Sequence, residues 1–263
     1  NDKGFYKLGK YLTILKDKSR TLDILDIRNK KLSDGFYRID NDNPYIGLLN
    51  EENLWMRLNL ENVSDHETYY LNLSWPRTEK FEVYIDYDNG KSILKKTGKF
   101  LPLMEQEIKD KNFIVPIHIK KGQKVILNMK VSNTYYFLPR LTLHNQNSFI
   151  NAFSSDNLFL SGFYILLLLV LLSSLFLLIY FKNIIYFYFI AYIFFIGVSS
   201  SSFDGTGYRY FWPSNENLLK IIHVMSYNLE VIFSLKFLEK FLSLKNRNNY
   251  FSKVINFICI LYL

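Results

Sequence analysis

Leu158 to Phe181 reads LFLSGFYILLLLVLLSSLFLLIYF, and no charge interrupts the chain between Asp156 and Lys182. A bilayer core about 30 Å thick is crossed by about 20 residues of helix, so this run is long enough to span. A soluble helix of that length would carry polar residues along its exposed side. Working outward, the Lys182-Asn183 pair is a tight hinge into a second charge-free stretch, Asn183 to Phe203, rich in Phe, Tyr and Ile. A third apolar segment near Leu218 carries Lys220, His223 and Glu230, and a fourth begins near Val254. The expected spans are therefore 158–181, 184–203, 218–236 and 254–263, the last expected to continue in a longer parent chain.

The loop between the second and third spans holds Arg209 as its one basic residue. The loop after the third holds Lys236, Lys240, Lys245, Arg247 and Lys253. Basic residues in short loops stay in the cytoplasm, so this second loop and the Lys182 hinge lie inside and residues 1–157 lie outside. Glu230 falls at membrane depth. An ionisable group there is costly to bury, and it is a candidate for coupling the helices.

The two halves of the sequence differ in charge. Residues 1–150 hold 24 Lys and Arg against 19 Asp and Glu, whereas residues 151–263 hold 8 against 5. The division expected is an extracytoplasmic domain over 1–150 and a transmembrane domain over 151–263. With 49% apolar and 21% charged residues the chain is not disordered. Its single cysteine, Cys259, excludes an internal disulfide and any multi-thiolate metal site. The pI of about 9.2 does not point to nucleic acid, because lysines alternate with acids instead of forming a stripe.

In the first half the apolar period is two. Phe81, Val83, Ile85 and Tyr87 alternate with Glu82, Tyr84 and Asp86, and Asp88-Asn89-Gly90 follows as a hairpin turn. Val125, Leu127, Met129 and Val131 repeat the pattern, and further strands are expected at 22–27, 55–60, 69–73, 113–119 and 137–143. About seven strands without an amphipathic helix make an all-β sandwich of jelly-roll type, followed by an α-helical bundle. Phosphate-binding glycine loops and the nucleophile elbow are absent.

The order of several short motifs is informative as a set. Asn53-Leu-Trp55-Met-Arg57-Leu-Asn-Leu60-Glu-Asn62 is followed by Trp75-Pro76, Phe81-Glu-Val-Tyr84, Gly90, Thr97-Gly98, Phe113-Ile-Val-Pro116 and Leu138-Pro139. The second half adds Ser161-Gly162, the Lys182 turn with Tyr186 to Tyr192, Gly205-Thr-Gly207-Tyr-Arg-Tyr-Phe-Trp212-Pro213, and Phe237-Leu-Glu-Lys-Phe241-Leu242. This order resembles the extracellular sensor domain of bacterial seven-transmembrane receptors with diverse intracellular signalling modules, joined to the start of their seven-helix region. The resemblance implies a sensor similar to carbohydrate-binding modules, a multi-pass place in the bacterial inner membrane, and a cytoplasmic output module after the last helix. Gln106-Glu107 and Lys130 stand where members of that family often carry arginine.

Candidate ligand residues are Trp55, Trp75, Tyr84 and Tyr135, whose rings offer flat faces to a sugar, with Arg57 and Arg140 as hydrogen-bond donors to hydroxyls. For each tryptophan, packing in the core or at the edge of the sandwich is the preferred reading, with ligand stacking the alternative. Arg57 shares a strand face with Trp55 by the period of two. Glu105, Glu107 and Asp110 are interleaved with Lys109 and Lys111, as in a solvated loop, and the four histidines match no ligand spacing. No catalytic constellation, metal site or cofactor motif is found. The expected function is extracytoplasmic sensing of a carbohydrate or similar small ligand and transmission to a missing output domain. Its partners would be the lipid bilayer, that ligand and a second copy of the chain. The alternatives are a membrane-anchored accessory protein whose sandwich binds a protein, or a cell-surface glycan hydrolase.

Overall fold

The computed structural model of the protein describes residues 4–29, 35–42, 46–49, 52–134, 136–138, 140–212, 216–247 and 249–262. The chain divides into two compact units, Asn1–Phe153 and Ser154–Leu263.

The first unit is an antiparallel β-sandwich. Its strands are β1 (Phe5–Lys7), β2 (Thr13–Asp17), β3 (Tyr37–Arg38), β4 (Gly47–Leu48), β5 (Asn53–Glu61), β6 (Thr68–Leu73), β7 (Lys80–Tyr87), β8 (Ser92–Thr97), β9 (Phe113–His118), β10 (Lys124–Ser132), β11 (Tyr136–Phe137) and β12 (Leu141–Asn145). They form a four-stranded sheet in the order β1-β12-β6-β9, a six-stranded sheet in the order β3-β2-β5-β10-β7-β8, and the pair β11-β4. The alternation read in the sequence selects the core. Met56, Met129 and Val83 form one cross-strand row, and Leu58, Leu127 and Ile85 the next. They face Leu71 with Leu143 and Val115, and Leu73 with Leu141 and Phe113, from the other sheet. All are at most 6% exposed, so each sheet buries one face against the other.

The β7–β8 hairpin turns where expected. Gly90 takes φ +82°, its N–H donates to Tyr87 O at 3.0 Å, and Asn89 Oδ1 accepts from Lys91 N at 3.0 Å. Two expectations are corrected. Residues 22–27 are not a strand: Ile24–Arg28 is a short helix, α1. Asp23 caps it by accepting from Leu25 N and Asp26 N, while Asp26 accepts from Asp23 N at 3.0 Å. These reciprocal bonds outweigh a run of apolar residues whose spacing fits either structure. The segment 137–143 is not one strand either, because Phe137 pairs with β4 and Leu141 with β6, so the chain changes sheets between them. Pro139 lies outside the described residues.

The second unit is helical. Its elements are α2 (Gln146–Phe181, whose first turns belong to the sandwich unit), α3 (Ile184–Asp204), α4 (Thr206–Tyr210), α5 (Glu216–Phe241), α6 (Leu244–Arg247) and α7 (Asn249–Leu261). Helices α2, α3 and α5 are long and apolar enough to cross a membrane, and α7 is a shorter apolar helix. The hinge between α2 and α3 is as tight as the sequence suggests. Lys182 adopts φ +51°, and Asn183 caps α3 by accepting from Ile185 N at 3.0 Å. Helices α3 and α5 meet through rings: Phe195 stacks on Phe233 at 5.5 Å and Phe189 meets Phe237 at 5.1 Å. In lipid such close packing replaces the hydrophobic drive that water would supply.

Candidate functional site

The short reach of β2 opens a cleft in the sandwich. Pairing of β2 with β5 ends at Thr13–Arg57, so β5 continues from Leu58 to Glu61 without a neighbour on that side. The gap is a cleft of about 520 Å³. Leu8, Leu58, Leu60, Ile119, Leu143 and Tyr69 make its apolar floor, while Thr13, Arg38, Arg57, Asn59, Glu61, Asn62 and Ser64 supply polar groups. Tyr6 and Tyr11 border it, and both rings are exposed. One corner is fixed by a closed set of hydrogen bonds. Tyr69 Oη donates to Asn62 Oδ1 at 3.0 Å, Ser64 Oγ lies 2.5 Å from Tyr69 Oη, and Asn62 Nδ2 donates to Ile119 O and His66 O, each at 2.7 Å. An apolar floor with a few fixed polar groups is the usual make-up of a small-molecule site.

Of the residues singled out in the sequence, Arg57 lines this cleft. It does share a face with Trp55 and Tyr84, the outer face of the six-stranded sheet. There Trp55 lies opposite Lys130, and Arg57 opposite Asn128, which in turn lies opposite Tyr84. Trp55 is fully buried, with Lys130 Nζ 5.2 Å above its ring and Tyr84 5.9 Å away. Arg57 donates from Nε to Asn128 Oδ1 at 2.9 Å and from Nη2 to Ile27 O, and its guanidinium covers the Phe36 ring at 4.4 Å. Burial lowers the Arg57 pKa, and the nearby Asp86 charge opposes that shift. Tyr84 donates to Glu82 Oε2 at 3.1 Å, and its pKa is pushed up to about 12 by burial and by the Glu82 charge.

Trp75 and Arg140 lie beyond the other end of β6, where Ser74 N donates to Arg140 O at 3.0 Å. Trp75 is half-buried and Arg140 exposed. Tyr135 lies outside the described residues. In the acidic loop, Glu107 is held by Lys95 Nζ at 2.6 Å, and Asp110 Oδ1 accepts from Asn112 N at 2.8 Å. The sequence reading missed the tyrosine-bordered cleft. Its signal is a difference in strand length that only pairing reveals.

In the helical unit, Glu230 on α5 accepts a hydrogen bond from Ser199 Oγ on α3 at 2.5 Å. Tyr164 on α2 donates to Asp204 Oδ2 at 2.6 Å, and Asp204 Oδ1 accepts from Thr206 N and Oγ1. On α5, Lys236 Nζ donates to Glu239 at 3.1 Å, and Glu239 also accepts from Ser252 on α7.

Comparison with known proteins follows the same division. Residues 9–145 match the family described as 7TMR-DISM extracellular 2, and residues 156–263 match 7TM diverse intracellular signalling. A search of curated proteins gave no match. Among solved structures, the sandwich is similar to TmCBM61 in complex with β-1,4-galactotriose: 13% identity, TM-score 0.28, covering 56% of this chain and 97% of that one. A β-glucosidase from Kluyveromyces marxianus in complex with glucose matches at 10% identity and TM-score 0.26, over 51% of this chain and 15% of that one. The mannan-recognising module TmCBM27 matches at 14% identity and TM-score 0.21, over 38% and 63%. With an extracellular sensory module and a membrane module matched in that order along its length, the chain belongs to the 7TMR-DISM family of multi-pass membrane receptors.

Proposed function

We propose that the sandwich is the extracytoplasmic sensor of a receptor in the bacterial inner membrane, and that it binds a carbohydrate or similar small polar ligand in the cleft beside β5. Binding would bias the helices toward one arrangement, and an output domain following the last helix would read that bias. The observation that supports this reading is the cleft itself: the exposed Tyr6 and Tyr11 line it together with apolar residues and with several polar side chains. Flat rings with convergent hydrogen-bonding groups suit a sugar, which has apolar faces and a polar edge. Trp75 with Arg140 is a second place for such a ligand, at the other end of the sandwich.

The test is calorimetric titration of the full chain in lipid nanodiscs with a panel of mono- and oligosaccharides. The expected outcome is binding of at least one sugar, weakened about tenfold by Tyr11→Ala, which removes one stacking face. Weakening by Trp75→Ala with Tyr11→Ala silent would move the site to the other end. No binding and no thermal stabilisation by any sugar would sink the carbohydrate reading, because a ligand at 100 times its Kd stabilises by about 2.7 kcal/mol.

A further inference from the structure

The backbone of β5 indicates which chemical group the cleft receives; this inference rests on the cleft being the ligand site. Along an antiparallel strand, successive residues turn their N–H and C=O to opposite sides. Asn62 N donates to Gln123 O at 3.1 Å and Asn62 O accepts from Gly122 N at 2.7 Å, so Asn62 faces the β10 side. The even residues of β5 follow it. The odd residues face the other way, where Asn53, Arg57 and Trp55 lie opposite Asp17, Thr13 and Leu15 of β2. Past Thr13 there is no strand, and Asn59 and Glu61 direct their N–H and C=O groups into the cleft. Among the described residues none receives them.

An unpaired strand edge above an apolar floor calls for a ligand with amide character. A hydroxylated sugar can satisfy the edge but leaves Leu60, the part-exposed residue of the floor, in contact with water. An acetamido group serves both. Its carbonyl is a strong acceptor for an edge N–H, a neighbouring ring hydroxyl can donate to an edge C=O, and its methyl reaches the floor. An added peptide strand is the competing occupant. Two edge residues make a poor template for it, because strand addition draws its affinity from a run of main-chain bonds. The volume of about 520 Å³ suits one or two sugar rings. We propose that the cleft selects an N-acetylated amino sugar, with the acetamido group on the Asn59–Glu61 edge and the ring against Tyr11.

The experiment titrates the full chain in nanodiscs with N-acetylglucosamine and its β-1,4 dimer, against glucose, glucosamine, cellobiose and a short N-acetylated alanine peptide. One buried methyl and one amide hydrogen bond predict about tenfold tighter binding of the acetylated sugars than of their unacetylated counterparts. Asn59→Pro removes one edge N–H without breaking a bond to β10, since that N–H faces the cleft. It should narrow the gap between the two classes, and a melting curve reports whether the fold persists. Should that variant unfold, Leu60→Phe fills the floor instead and should penalise the acetylated sugars selectively. Equal binding of acetylated and plain sugars would overturn the acetamido inference and leave the cleft reading standing. Binding of the peptide alone, or of nothing, would overturn both.

Discussion

Arg28 and Asp86, 58 residues apart in sequence, are joined by two hydrogen bonds: Nη2 to Oδ1 at 2.5 Å and Nε to Oδ2 at 3.1 Å. The pair ties α1 to the outer face of the six-stranded sheet. Ser92 Oγ and Asn128 Nδ2 add donors to the same carboxylate at 2.7 and 3.1 Å. The helix that β-alternation alone does not foresee is thus held by a cluster drawn from β7, β8 and β10.

Burial by itself would raise the Asp86 pKa, but hydrogen bonds from Arg28 and Ser92, the Arg28 charge and Asn128 together hold it below the ordinary value. A carboxyl depressed in the folded state stabilises fully above its unfolded pKa and loses that contribution as pH falls through the folded one. Asp86→Asn should therefore cost about 1 kcal/mol of local stability at pH 7 and progressively less below pH about 4. Hydrogen exchange of β7 amides on the full chain checks this, and a constant difference across pH would contradict it.

His144, on β12, is 4% exposed, packs against Phe5 at 4.9 Å and lies 3.0 Å from Thr142 Oγ1. Burial lowers its pKa, with the hydrogen bond to Ser148 acting in the opposite direction. A base depressed on folding takes its proton more readily when unfolded. Stability at the β1–β12 edge is then complete above pH about 6.5 and falls as the pH drops from there. Exchange of Phe5–Lys7 amides, corrected for intrinsic rates, should speed up between pH 7.5 and 5.5 in the wild type. In His144→Gln the trend should disappear.

Gly98 adopts φ +133°, and a Cβ there would lie 2.4 Å from Glu79 O. Both the backbone conformation and the close approach require glycine. Gly98→Ala should destabilise the sandwich by about 1–3 kcal/mol, seen as a lower melting midpoint. Gly90→Ala meets no neighbouring atom, so only its positive φ opposes it and its cost should be smaller.

Ser199→Ala removes the hydroxyl that donates to Glu230 between α3 and α5. Interhelical hydrogen bonds in membranes are worth about 0.6 kcal/mol on average, so the effect should be modest. Glu230→Gln, which can still accept from Ser199, should melt close to wild type. A large loss in Ser199→Ala alone would mean that the serine does more than donate this bond.

The strands with a strict period of two were readable, because alternation is what burial of one face requires: β7 and β10 stand within one residue of their expected limits. β1 is short and β8 carries Lys95 and Lys96, so neither shows the pattern. The first three spans were legible by length and apolarity alone, as the bilayer imposes both. The cleft was not. It arises because β2 stops at Thr13 while β5 runs on, and a mismatch between strands distant in sequence leaves no mark on either one. Arg57 was singled out through its place beside Trp55, and Tyr11 had no motif to announce it.

Along α2, most side chains of the apolar run are exposed, and Ser174 is the one classed as buried among its described residues. In a bilayer, turning such a helix about its axis exchanges one leucine for another against the same hydrocarbon. The surface is like an unkeyed shaft, indifferent to its own rotation. Tyr164 is the key: a turn that carries its hydroxyl away from Asp204 would leave a carboxylate short of a donor at 2.6 Å. The bond between this phenol and this acid is therefore one fixed point that favours a single angle of the shaft.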